Sequence, residues 1–124
     1  MEGLEQIETI SQEQWREIVA GYAEPHEEPK VRRTARRFPV SYGRVKLLFV
    51  LECAGVRRPQ RWDAALLQLS DHGLMVRTER ELPAYIGVAV QVALEDETAT
   101  ALGRVVHCTS TIGGYKVGIE LSFD

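Results

Sequence analysis

The sequence is poor in the residues that build metal centres and disulfide scaffolds. Its 124 residues include two cysteines, Cys53 and Cys108, and no CxxC pair. A structural metal site needs more ligands at closer spacing. Both cysteines sit in apolar surroundings and read as small core residues. Aromatic residues make up 7%, which leaves few rings for stacking successive bases. That scarcity and a net charge of −3 argue against a nucleic-acid-binding barrel. No apolar run approaches the ~20 residues of a membrane span. The start, Met1-Glu2-Gly3-Leu4-Glu5, is acidic and lacks the basic and apolar regions of a signal peptide. The expectation is a cytoplasmic protein that is not inserted in a membrane. Ser70-Asp71-His72 has the residue types of a hydrolase triad, but adjacent residues project in different directions and no nucleophile elbow is present. No enzymatic activity is expected.

What remains is the composition of an ordinary single globular domain, 44% hydrophobic and 27% charged. The charge is segregated. Residues 1–30 hold eight acids against two bases, a balance of −6, and residues 31–124 hold 13 bases against ten acids, a balance of +3. An anionic partner for the body fits this asymmetry. A solvated acidic helix ahead of a mildly basic body fits it equally well.

Ser11 and Gln14 form a capping-box pattern that predicts a helix from about Gln12 to Ala20, with Gly21 as its stop. Ile10 and Trp15 could staple its start. Trp15, Ile18, Val19 and Tyr22 recur at helical spacing and form one apolar face. A polar linker with Pro25 and Pro29 follows, then the basic stretch Val31 to Arg37 leading into a possible strand at Phe38-Pro39-Val40. Beyond it the pattern has period two. Val45, Leu47, Phe49 and Leu51 alternate with their neighbours, as do Val88, Val90, Val92 and Leu94, and Tyr115, Val117, Ile119, Leu121 and Phe123. Trp62–Leu69, Leu74–Arg77 and Ala101–Cys108 also read as strands. Arg57–Gln60, Ser70–Gly73, Glu95–Thr98 and Ile112–Gly114 read as turns. Short spacing and alternation indicate an antiparallel barrel or sandwich. The apolar face of the helix is a candidate lid for a barrel end, since leaving it in water costs ~25 cal/mol per Å². Trp62 reads as packing surface.

Two features stand out against this frame: the arginines at 32, 33, 36 and 37, and the turn Gln68-Leu69-Ser70-Asp71-His72-Gly73. Arg33-Thr34-Ala35-Arg36-Arg37 directly precedes Phe38-Pro39-Val40 and is similar to the Arg-x-x-x-Arg motif of PilZ domains. Gln68 to Gly73 resembles that family's Asp/Asn-x-Ser-x-x-Gly motif. The tail, Gly103-Arg104-Val105-Val106-His107 and Gly113 to Leu121, is similar to the family's closing strand pair. The resemblance covers residues 31–124, with residues 1–30 as an N-terminal helix and linker. It implies a mainly β fold, a six-stranded antiparallel β-barrel with an N-terminal α-helix, and cyclic di-GMP as the ligand with no further cofactor.

The ligand carries two phosphates and two guanines. Guanidinium forks suit both phosphate oxygens and guanine O6 and N7. The resemblance gives those roles to Arg33 and Arg37. It associates a basic residue at Arg32 with two intercalated ligand molecules. Ser70 would offer a hydroxyl, and Gly73 would allow close approach and positive φ. His107 stands where the family often has a flat side chain near the ligand, and a plain strand-end histidine is the bland alternative. Gln68 departs from the family's Asp or Asn. It keeps an amide oxygen but adds a methylene and has no charge, a loss of ~1–2 kcal/mol or about tenfold in affinity. The expected mechanism is a ligand that neutralises and orders residues 30–37 against the barrel, moves the helix and signals to an unidentified protein partner. The alternative is a degenerate PilZ-like adaptor that does not bind the nucleotide and acts by protein–protein contacts.

Overall fold

The computed structural model describes residues 8–23, 43–93 and 98–123. Among the described residues one helix, α1 (Gln12–Ala23), precedes six strands: β1 (Arg44–Cys53), β2 (Val56–Ser70), β3 (Gly73–Thr78), β4 (Gly87–Ala93), β5 (Thr98–Thr111) and β6 (Gly114–Ser122). The strands close into an antiparallel barrel in the order β1-β2-β3-β6-β5-β4, so the expected fold class holds. The basic stretch at 31–37, the possible strand at 38–40 and most of the expected loop at 95–98 lie outside the described residues.

Alternation creates the barrel. Val45, Leu47 and Phe49 pair with Ala64, Trp62 and Gln60 on one side, and Val45 and Leu47 pair with Val92 and Val90 on the other. The β-branched and leucine residues of these rungs are buried in one core with Val76, Val105, Val117 and Ile119. Side chains of period two point inward together only if the register holds, so the apolar pattern fixes the pairing.

Helix α1 closes the end of the barrel where β1, β3 and β5 begin. The capping box forms as its sequence requires. The Ser11 amide donates to Gln14 Oε1 at 2.8 Å, and the Gln14 amide donates to Ser11 Oγ at 3.1 Å. The Ile10 amide donates to the Thr100 carbonyl at 3.0 Å and anchors the approach to the helix. Trp15 and Ile18 then enter the core, with 0% and 2% of their surface exposed. The helix runs on through buried Gly21 to Ala23 instead of stopping at Ala20. Packing of the apolar face, not the local stop signal, sets its length.

Two other expectations need correction. Arg57–Gln60 is not a turn but part of β2, whose hairpin with β1 turns at Ala54 and Gly55, both with positive φ (54° and 80°). Pro59 is tolerated there because β3 pairs with β2 only from Ala65 onward, so the missing N–H costs no ladder bond. Cys53 is not a core residue. It sits exposed at that hairpin, Cys108 is half-buried, and both are free thiols. Trp62 is packing surface as expected, edge-on to Phe49 with ring centroids 4.9 Å apart. No helix among the described residues is long and apolar enough to cross a membrane.

Trp15→Ala should cost about 3–5 kcal/mol by opening a cavity at the barrel end. Trp15→Phe should cost less, about 1–3 kcal/mol, mainly by removing the indole N–H. Urea denaturation of both variants measures the difference.

Candidate ligand cleft

Two irregularities in the strands build the site. In β2 the register with β3 shifts between Leu66 and Gln68. In β5 the register with β6 shifts between Val105 and His107. Each is a bulge that inserts one residue, Leu67 and Val106. Strict alternation would send Gln68 and His107 toward the core with the parity of Leu66 and Val105. The extra residue turns both outward. A row of outward positions results across four strands: Gln68 on β2, Met75 on β3, Gly118 on β6 and His107 on β5. The adjacent outward row is Ser70, Gly73, Glu120 and Arg104.

A cleft of about 410 Å³ lies over these rows, lined by Gln68, Ser70, His72, Gly73, Met75, Val106, His107, Gly118 and Glu120 among others. Four of the seven residues singled out in the sequence, Gln68, Ser70, Gly73 and His107, therefore share one cleft. Arg32, Arg33 and Arg37 lie outside the described residues. Among the described residues lining the cleft there is no arginine or lysine. The lining offers hydrogen-bonding groups and an apolar floor, and Arg104 on the outer row stands 3.9 Å from Glu120.

Glycine makes the floor flat. A Cβ on Gly118 would lie 2.2 Å from His107 Nε2, so the imidazole lies across the space that a side chain there would fill. Gly73 acts differently from the sequence expectation. Its φ is not positive, and a Cβ on it would meet the Ile119 carbonyl oxygen at 2.1 Å. The missing side chain lets β3 and β6 approach, so the glycine serves the barrel wall before any ligand.

The turn between β2 and β3 is held from three sides. Ser70 Oγ donates to the Gly73 carbonyl at 3.2 Å. The Leu121 amide donates to the His72 carbonyl at 2.8 Å. The Trp15 indole N–H donates to the Ser70 carbonyl at 2.7 Å. Arg16 lies 4.0 Å from Asp71, with both side chains more than half exposed, which makes the pair weak. Ser70 and Asp71 thus engage the turn and α1, not each other. No cluster of three or more metal-ligating side chains occurs among the described residues.

A second cleft, of about 510 Å³, lies over β1, β2 and β3 with Arg44, Arg61, Arg77 and Arg80 around Trp62. The Arg80 guanidinium sits 4.7 Å from the Trp62 ring centroid. Asp63 borders this cleft. The Lys46 ammonium hydrogen-bonds it at 2.6 Å and, with smaller help from Arg44 and Arg61, holds its carboxyl below the usual carboxylate range. Sequence reading missed this cleft because its arginines are spread from 44 to 80 and meet only through strand pairing. It also missed both bulges. Their signal was the break in alternation at Leu66-Leu67 and Val105-Val106.

A family model described as PilZ domain matches residues 31–124. No curated protein and no solved structure matches the chain. The matched segment contains the whole barrel and both clefts, while α1 precedes it and still packs into the same core.

Gly118→Ala should displace the His107 ring and leave the fold intact, because the atoms that must yield are the end of an exposed side chain. The expected loss of stability is under about 1 kcal/mol. The His107 imidazole resonances should shift clearly in the same protein.

Proposed function

The chain belongs to the PilZ domain family, and from that premise we propose that it is a cyclic di-GMP receptor that signals to a protein partner through a ligand-dependent change of shape. The family is generally linked to cyclic di-GMP binding. The observation that carries the reading for this chain is the convergence of Gln68, Ser70, Gly73 and His107 on one cleft.

A guanine base lies on the floor between His107 and Gln68, with the imidazole available for stacking. Gln68 presents its amide to the base edge, and Ser70 keeps hydroxyl lone pairs free for a ligand N–H. Because the described lining holds no arginine or lysine, the phosphates are neutralised by Arg33 and Arg37, whose guanidinium forks suit them. Arg32 extends that charge and favours a second, intercalated ligand molecule. Transmission follows from the indole bond to Ser70: a ligand that shifts the Ser70–Gly73 turn moves the anchor of α1. The helix and its surroundings then present a changed surface to the partner.

A second reading keeps the fold and drops the ligand. In it the protein is an adaptor that meets an acidic partner at the cleft of Arg44, Arg61, Arg77 and Arg80. That arginine cluster favours it, as does the uncharged Gln68.

Calorimetric titration of cyclic di-GMP decides between them. The receptor reading expects saturable binding that Arg33→Ala/Arg37→Ala abolishes. The stoichiometry reports on Arg32. A folded protein that gives no heat at several temperatures would leave only the adaptor.

A further inference from the structure

Glu120 is a carboxylate in a cleft read as the seat of a dianionic ligand. It occupies the outward row between Gly73 and Arg104, with which it is paired across the strands, and it lines the same cleft as Gln68 and His107. Arg104 does not neutralise it tightly. The nearest approach is 3.9 Å, with both side chains more than half exposed, too long for a hydrogen bond. Its oxygens therefore keep acceptor capacity. Set against phosphate, such a group repels ligand and lowers affinity. Set against a donor pair, it strengthens and selects.

Guanine is the base with that pair. Its N1–H and exocyclic N2–H lie parallel on one edge and match the two oxygens of a carboxylate, a two-bond geometry of the fork type. Adenine presents a bare ring nitrogen at the first of these positions and no amino group at the second. Gln68 cannot replace this function, since its amide has one acceptor oxygen and no charge.

We propose that Glu120 selects guanine in this cleft by accepting N1–H and N2–H of the base. The inference rests on the reading of the cleft as a cyclic di-GMP site and adds the residue that reads the base. Gln68 then holds a flank of the same base, and the negative charge that the family's Asp brings from β2 comes here from β6.

The test pairs a change in the protein with a change in the ligand. Cyclic di-GMP and cyclic di-IMP, its analogue with hydrogen in place of each 2-amino group, are titrated into wild type, Glu120→Gln and Glu120→Ala, with melting temperature recorded for each. Wild type should prefer cyclic di-GMP by about tenfold or more, the scale of a lost bond to a charged acceptor. In both variants the preference should shrink to about threefold or less. An unchanged preference in the variants would overturn the proposal while leaving the receptor reading intact. So would tighter binding of both ligands, which would mean that Glu120 only repels phosphate. So would equal weakening of both with a lowered melting temperature, which would mark a structural role. Wild-type protein that is folded and binds neither ligand would remove the receptor reading and this proposal together.

Discussion

The burial of Trp15 ties the molecule together. Its ring has 0% exposure and closes the barrel end, while its N–H bonds the Ser70 carbonyl in the turn that borders the cleft. The first property stabilises: an indole taken out of water and packed in a core contributes several kcal/mol. The second couples the helix to the turn. A buried N–H with one partner cannot lose it cheaply, so the turn and the helix are constrained to move together. Phe123, with its ring centroid 6.5 Å from Trp15, extends the contact to the end of the last strand. A segment ahead of the family-matched barrel is thereby made part of its core.

The cleft follows from how two strands break their own rule. Without the bulges at Leu67 and Val106, Gln68 and His107 would share the parity of core residues. With them, both face outward at opposite sides of the floor, and the His107 ring lies over Gly118. The chemistry of that floor is suited to a base more than to a phosphate, having histidines, amide, hydroxyl and one carboxylate but no arginine or lysine among its described residues. In the proposed receptor, the barrel surface would read the base and the arginines at 33 and 37 would neutralise the two phosphates.

Much of this was legible in the sequence, for identifiable reasons. The barrel was readable because Val45, Leu47 and Phe49 and the tail from Tyr115 to Leu121 alternate without interruption, and period two has one structural meaning. The start of α1 was readable because Ser11 and Gln14 are a local signal that needs no tertiary context. The motif turn was readable as a turn and as a cluster of candidate site residues. What failed was non-local. Pro59 suggested a turn because the free edge of β2 depends on where β3 ends. Cys53 suggested core because its apolar neighbours do not reveal that it ends a hairpin. The purpose of Gly73 was misread because the group that needs its missing Cβ, the Ile119 carbonyl, lies 46 residues away in the chain. The arginine cleft beside Trp62 was invisible for the same reason.

The most direct measurement of the central claim is a titration of cyclic di-GMP followed by amide and indole NMR resonances. The account predicts that shifts concentrate at Gln68, Gly73, Met75, His107 and Gly118, and that the Trp15 indole N–H moves with them at the same ligand concentration. Shifts confined to Arg44, Arg61, Arg77 and Arg80, with the cleft and the indole unmoved, would contradict it.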